Sequence, residues 1–139
     1  MEAKVTWKGK MRFDGVSESG FQLPMDASPE VGGEGQGVRP IEALAMSLAA
    51  CTAMDVISIL RKKQQQVTGF EVLAHIQRSG GIPSVFTHVT LEFVVTGHEV
   101  DPAAVERAVE LSADKYCPVQ AMLKPSMEIE HQIRILEAA

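Results

Sequence analysis

From Pro40 to Lys63 the chain runs without an internal glycine or proline and without a polar face. Pro40 occupies a first-turn position, where its missing N–H costs nothing. Glu42 lies near the positive end of the helix dipole, and Arg61, Lys62 and Lys63 lie near its negative end. Between them Leu44, Met46, Leu48, Met54, Val56 and Ile59 spread around the whole wheel instead of forming one stripe. A helix that is apolar all round is either buried on all sides or spans a membrane. Length permits a span, but Glu42, Ser47, Thr52, Asp55 and Ser58 oppose it, since a central carboxylate costs about 2.5–3.5 kcal/mol on insertion. The expectation is a central helix wrapped by sheet, with a second subunit as a further source of cover.

The rest of the chain reads as sheet plus short helices. Ala3–Phe13 alternates, with Val5, Trp7, Met11 and Phe13 opposite Lys4, Lys8, Lys10 and Arg12, which predicts a strand with one covered face. Phe21, Leu23 and Met25 continue the pattern beyond a Ser-Glu-Ser-Gly turn as a hairpin partner. Ala27–Gly37, with four glycines in the six residues from Gly32, reads as a flexible loop. Val67–Ser79 and Val85–Thr96 alternate on either side of a Gly-Gly-Ile-Pro turn. Asp101 as N-cap and Pro102 open a second helix to about Tyr116, with Ser112 among its apolar-side residues. Cys117-Pro118 opens a short segment to Leu123, and Ser126–Leu136 closes as a strand. The order β-β-α-β-β-α-β is α+β, with antiparallel hairpins predominating.

At 139 residues the chain is expected to form one domain, 1–139. Its net charge of −5 disfavours nucleic acid and anionic membranes as partners, and its 5% aromatic content removes the stacking platforms of single-strand binders. Met1–Trp7 lacks the pattern of a signal peptide, so the expected setting is the cytoplasm. Two cysteines are too few for a disulfide scaffold.

Those two cysteines, 66 positions apart, are the leading chemical candidates. Cys51 is mid-helix between Ala49, Ala50 and Ala53, small neighbours that let another element come close. Burial there would make it an inert core hydrophobe. Cys117 precedes Pro118 at a helix start, where free backbone N–H groups favour a thiolate. Together they fit a redox pair in which one thiol becomes a sulfenic acid and the other condenses with it. The structural alternative is a static bridge, which a reducing compartment opposes. His75, His88, His98 and His131 share no metal-ligand spacing, so no metal is expected; His88 and His131 read as satisfied sheet residues. Neither a phosphate loop nor a hydrolase elbow is present.

Pro40-Ile41-Glu42-Ala43-Leu44-Ala45-Met46-Ser47-Leu48-Ala49-Ala50-Cys51 resembles the Pro-x-Glu-Leu-Leu…Ala-Ala-Cys helix of the OsmC/Ohr family, the osmotically inducible and organic hydroperoxide resistance proteins. Tyr116-Cys117-Pro118-Val119, ahead of Leu123, resembles that family's second-cysteine motif. Cys51–Leu60 and Phe86-Thr87-His88-Val89-Thr90 look most like an OsmC-like branch whose members are largely uncharacterised. The resemblance implies an intertwined homodimer, its antiparallel sheets wrapped around long buried central helices and its two active sites at the subunit interface. It implies reduction of organic hydroperoxides without metal or organic cofactor, electrons being returned by a dithiol reductant. Cys51 would then be the attacking, peroxidatic thiol and Cys117 the resolving one.

In better-known members an arginine and a glutamate stabilise the attacking thiolate. The glutamate follows the motif proline directly, where this chain has Ile41; Glu42 comes one place later, nine residues before Cys51 and so about 180° around the helix. Arg12 roughly matches the family arginine, with Arg39 as a second candidate. Asp55, one turn beyond Cys51, would raise a nearby thiol's pKa unless a cation intervenes. A dithiol peroxidase is one reading. The other is a non-catalytic dimer that binds a small molecule or senses redox state, favoured by Ile41.

Overall fold

The computed structural model describes residues 1–139. The elements are β1 (Ala3–Trp7), β2 (Phe13–Ser17), β3 (Gln22–Met25), α1 (Pro40–Lys62), β4 (Gln66–Arg78), β5 (Phe86–His98), α2 (Pro102–Leu111), α3 (Pro118–Leu123) and β6 (Glu128–Glu137). A 3₁₀ turn covers Pro29–Val31, and a π-helical turn covers Ser112–Tyr116 between α2 and α3. The class is α+β, as expected. Residues cluster into two compact units, 1–45 and 46–139, the break falling inside α1.

In the first unit β1, β2 and β3 form an antiparallel sheet in that order. The predicted strand Ala3–Phe13 is in fact two strands, because the chain reverses at Gly9 and Lys10, whose φ angles are +104° and +48°. Glycine reaches that region without steric cost. Lys8 N–H donates to the Arg12 carbonyl at 2.8 Å, Arg12 N–H to the Gly9 carbonyl at 2.9 Å, and the Trp7 indole N–H to the Lys10 carbonyl at 2.8 Å. Trp7 then pairs with Phe13, so the unbroken alternation was a coincidence of phase across a turn. The predicted covered face is open: Val5 and Trp7 are 60% and 63% exposed. The glycine-rich segment is a loop organised by Asp26, whose carboxylate accepts the N–H groups of Ala27, Glu34 and Gln36. Burial alone would raise the Asp26 pKa, but the Gln36, Ala27 and Glu34 donors and the Arg12 charge together hold it below the ordinary carboxylate value.

The second unit carries the sheet β4-β5-β6. β4 and β5 pair antiparallel from Gln66↔His98 onward, whereas β5 and β6 run parallel from His88↔Glu128. Antiparallel pairing thus predominates, with one departure from the all-antiparallel expectation. A parallel neighbour needs a long crossover, which α2, the π-helical turn and α3 provide. Central β5 is the most buried strand, with Val89, Leu91, Phe93 and Val95 fully enclosed. Leu48, Val56 and Leu60 of α1 and Val105 and Ala108 of α2 complete that core. Asp101 caps α2 as predicted, its side chain accepting the Ala103 N–H at 3.0 Å.

α1 spans nearly the predicted residues, but the chain covers one stripe of it. Leu48, Thr52, Val56 and Leu60 are buried at four-residue steps, whereas Met46 and Met54 on other faces are 48% and 69% exposed. By length and composition alone α1 could cross a membrane. Its central polar groups are committed elsewhere: Thr52 and Asp55 both bond to the Ser112 hydroxyl of the same unit. The expected wrapping on every side is therefore not met within one chain.

Candidate functional site

The two sulfurs meet. Cys51 is half-buried on α1, Cys117 is 3% exposed ahead of α3, both are free thiols, and Cys51 is close enough to raise the Cys117 pKa. Ala49, Ala50 and Ala53 neighbour Cys51 along α1. Cys117 is turned into extended backbone, φ −78° and ψ 107°, by the π-helical turn that precedes it, its N–H donating to the Ser112 carbonyl at 2.9 Å. A bond across five residues is the π-helical pattern; it inserts an extra residue and swings Cys117 out of helical register.

Cys117 is also the N-cap of α3, its Sγ accepting the Gln120 N–H at 3.3 Å. That position was expected to make it the ionised member, and the structure reverses the expectation. Burial, foremost, and the hydrogen bond with Cys51 push the Cys117 thiol up to about 11, against a smaller lowering by the Gln120 and Val119 N–H groups. Desolvation outweighs the helix end. Cys117 therefore holds its proton at neutral pH, and Cys51 is the less buried residue of the two.

The remaining sequence candidates have other partners. Asp55 accepts the Ser112 hydroxyl at 2.9 Å, so the partner found for it is a hydroxyl and not a cation. Arg12 pairs with Asp14 at 3.3 Å, and Arg39 with Glu42 at 3.8 Å, all within the first unit. Glu42 also accepts the Arg39 N–H at 2.8 Å, so it caps the start of α1, half a helical turn away from the Cys51 direction.

Three residues around the thiols were not singled out from sequence. Ser112 is fully buried and bonds to Thr52, also fully buried, at 2.7 Å. A serine in phase with the apolar face of α2 was the available signal. Gln120 is 2% exposed, and its Oε1 accepts from His131 Nε2 at 3.0 Å. Burial lowers the His131 pKa, the Asp114 charge opposing it, so the ring is a neutral donor near pH 7. His88, the other strand histidine, lies between the Glu128 and Glu130 carboxylates at 3.3 and 3.2 Å. Both rings have partners, His88 within the sheet and His131 on α3. No group of three or more His, Cys, Asp or Glu side chains is arranged to hold a metal ion.

Chemically, the arrangement offers one accessible sulfur backed by a second that supplies a proton and can close a disulfide. Known proteins resemble this chain over nearly its whole length. The profile of the OsmC-like protein family matches residues 33–132. Protein YhfA of Escherichia coli strain K12 is 41% identical over 138 residues, covering 99% of this chain and 100% of that protein. Among solved structures, a hypothetical protein from Aquifex aeolicus VF5 superposes with a TM-score of 0.86 at 28% identity, covering 99% of this chain and 97% of that one. An organic hydroperoxide resistance protein OsmC from Legionella pneumophila shares the fold, with a TM-score of 0.70 at 18% identity over 96% of this chain and 95% of that one.

Proposed function

The chain belongs to the OsmC-like protein family, and on that footing we propose that it is a thiol-dependent peroxidase that reduces organic hydroperoxides in oxidative-stress defence. The observation that carries this reading is the pair of neighbouring free thiols, of which the buried Cys117 has its pKa raised by burial and by Cys51. The substrate class is the one for which the Legionella relative is named.

The chemistry balances in three steps. Cys51, as thiolate, attacks the outer peroxide oxygen; the O–O bond breaks, an alcohol leaves after taking up a proton, and Cys51 becomes a sulfenic acid. Cys117 then attacks the Cys51 sulfur, expelling water and closing the disulfide. A dithiol reductant exchanges with that disulfide, restoring both thiols and becoming oxidised itself. No metal or organic cofactor enters. Arg12, Arg39 and Glu42, offered for the family arginine and glutamate, and Asp55, one helical turn from Cys51, are the tuning candidates, and of these Asp55 belongs to the same unit as the thiols.

The working form we propose is a cytoplasmic homodimer. Support comes from the apolar surface that one chain leaves open, Met46 and Met54 on α1 and Val5 and Trp7 on β1. Contiguous exposed apolar patches mark interaction surfaces.

The test follows peroxide loss after mixing reduced protein with cumene hydroperoxide and dithiothreitol. Wild type is expected to turn over, and Cys51→Ser to fall to the uncatalysed background. In Cys117→Ser, oxidation is expected to stop at the sulfenic acid or run on to the sulfinic acid, visible by intact mass. Wild-type turnover no faster than Cys51→Ser would sink the enzyme reading. It would favour the second one, a small-molecule-binding or redox-sensing dimer, to which Ile41 in place of the family glutamate already points.

A further inference from the structure

Cys51 and Cys117 lie on segments far apart in sequence, and one residue is bonded to both. Ser112 reaches the Cys51 segment through its side chain: its Oγ is 2.7 Å from Thr52 Oγ1 and 2.9 Å from Asp55 Oδ2. It reaches the Cys117 segment through its main chain, its carbonyl accepting the Cys117 N–H at 2.9 Å. The serine hydroxyl has one hydrogen, and the Asp55 carboxylate, having none to give, takes it. Thr52 must then donate to Ser112, so the chain runs Thr52 O–H to Ser112 Oγ, and Ser112 O–H to Asp55. Each donor direction is settled, which leaves the serine one way to sit.

Stability gives little reason for such a cluster. Ser112 and Thr52 are fully buried, and replacing both hydroxyls of a buried pair by apolar groups of like shape is often close to neutral, whereas removing one alone leaves its partner unpaired. Direction is what hydrogen bonds add. Thr52 adjoins Cys51, and Asp55 stands one turn further on the same side of α1. A clamp on those two residues fixes the rotation and height of Cys51 against the π-helical turn, whose end is Cys117. Closing a disulfide demands such control, because sulfurs must come to about 2.05 Å with Cβ atoms about 3.8 Å apart. A misplacement of about 1 Å can cost a factor of about 100 in rate.

We infer that Ser112 is a positioning residue for disulfide closure between Cys51 and Cys117, acting through Thr52 and Asp55 on one thiol and through its own carbonyl on the other. The inference rests on the dithiol reading of the site but not on the peroxide. The Ser112 hydroxyl bonds to Thr52 and Asp55 and to neither sulfur, so it acts on the resolving step and leaves the first attack by Cys51 alone.

Oxidised glutathione separates the two claims, since it loads the pair without peroxide. Cys51 displaces one glutathione thiol to form a mixed disulfide; Cys117 then attacks the Cys51 sulfur, releasing the second glutathione thiol and closing the internal bond. Quenched intact-mass spectra read both species with time. Ser112→Ala is expected to form the mixed disulfide at the wild-type rate and to close it about tenfold or more slowly. Thr52→Val, near in shape but without the hydroxyl, should slow closure in the same sense, whereas Thr52→Ser should close like wild type. Thr52→Val also carries the test if Ser112→Ala does not fold. Closure at the wild-type rate in Ser112→Ala or Thr52→Val, or equal slowing of both steps, would overturn the inference. Normal glutathione closure in wild type with no peroxide turnover would overturn the peroxidase reading and leave the role of Ser112 standing.

Discussion

Cys117 is pulled in opposite directions, and the outcome shows how position in the fold overrides position in a motif. Its place before Pro118 offers backbone N–H groups to a thiolate, and Gln120 N–H does reach the sulfur. Burial and the Cys51 contact still carry its pKa from the ordinary 9.0 up to about 11. At pH 8 only about one Cys117 in a thousand is ionised on that value. A group whose pKa is raised on folding stabilises the fold below its unfolded value, so the contribution holds below pH 9.0 and fades as pH climbs toward about 11. Since Cys51 is one of the groups raising it, Cys51→Ala is expected to move the Cys117 titration to lower pH. Thiolate ultraviolet absorbance followed against pH checks this, and an unmoved or higher midpoint would contradict the contact. The arrangement also explains why a buried thiol can serve as resolver: it stays protonated until its neighbour is oxidised.

Helices were easier to find in the sequence than strand breaks. α1 and α2 carry their own boundaries in Pro40, Glu42, Asp101 and Pro102, residues that act within one turn of where they stand. The Asp101 cap should be worth about 1 kcal/mol, so Asp101→Ala is expected to lower the urea midpoint with little change in slope. A midpoint equal to wild type would mean that α2 is held by packing alone. The division of Ala3–Phe13 into β1 and β2 was hidden because the apolar spacing stays in phase on both sides of the turn; Gly9 was the one residue that marked it. The π-helical turn left no periodic trace either. Five residues cannot establish a new period, and the structure identifies the turn by the bond from Cys117 N–H to the Ser112 carbonyl.

The assembled chain leaves an account open that a second copy would close. α1 buries one stripe and leaves Met46 and Met54 outward, which the proposed homodimer would cover. A charge at the most exposed of these, Met54→Asp, is expected to weaken self-association by about tenfold or more while leaving the circular-dichroism spectrum unchanged. Sedimentation velocity across a dilution series checks it. Wild type should sediment at twice the chain mass, and a wild type that stays monomeric at every concentration would overturn the homodimer.

Local chemistry was enough to read the α+β class, the long apolar helix and the capped second helix, because periodicity and capping act between residues a few places apart; the two cysteine motifs came from resemblance to a family. The protonation order of the thiols was out of reach of that reading, as were the parallel seating of β6 on β5, the Thr52–Ser112–Asp55 clamp and the open face of α1. Each of these depends on which distant segment arrives beside a given side chain, and so on desolvation and hydrogen-bond partners that exist once the chain has folded back on itself.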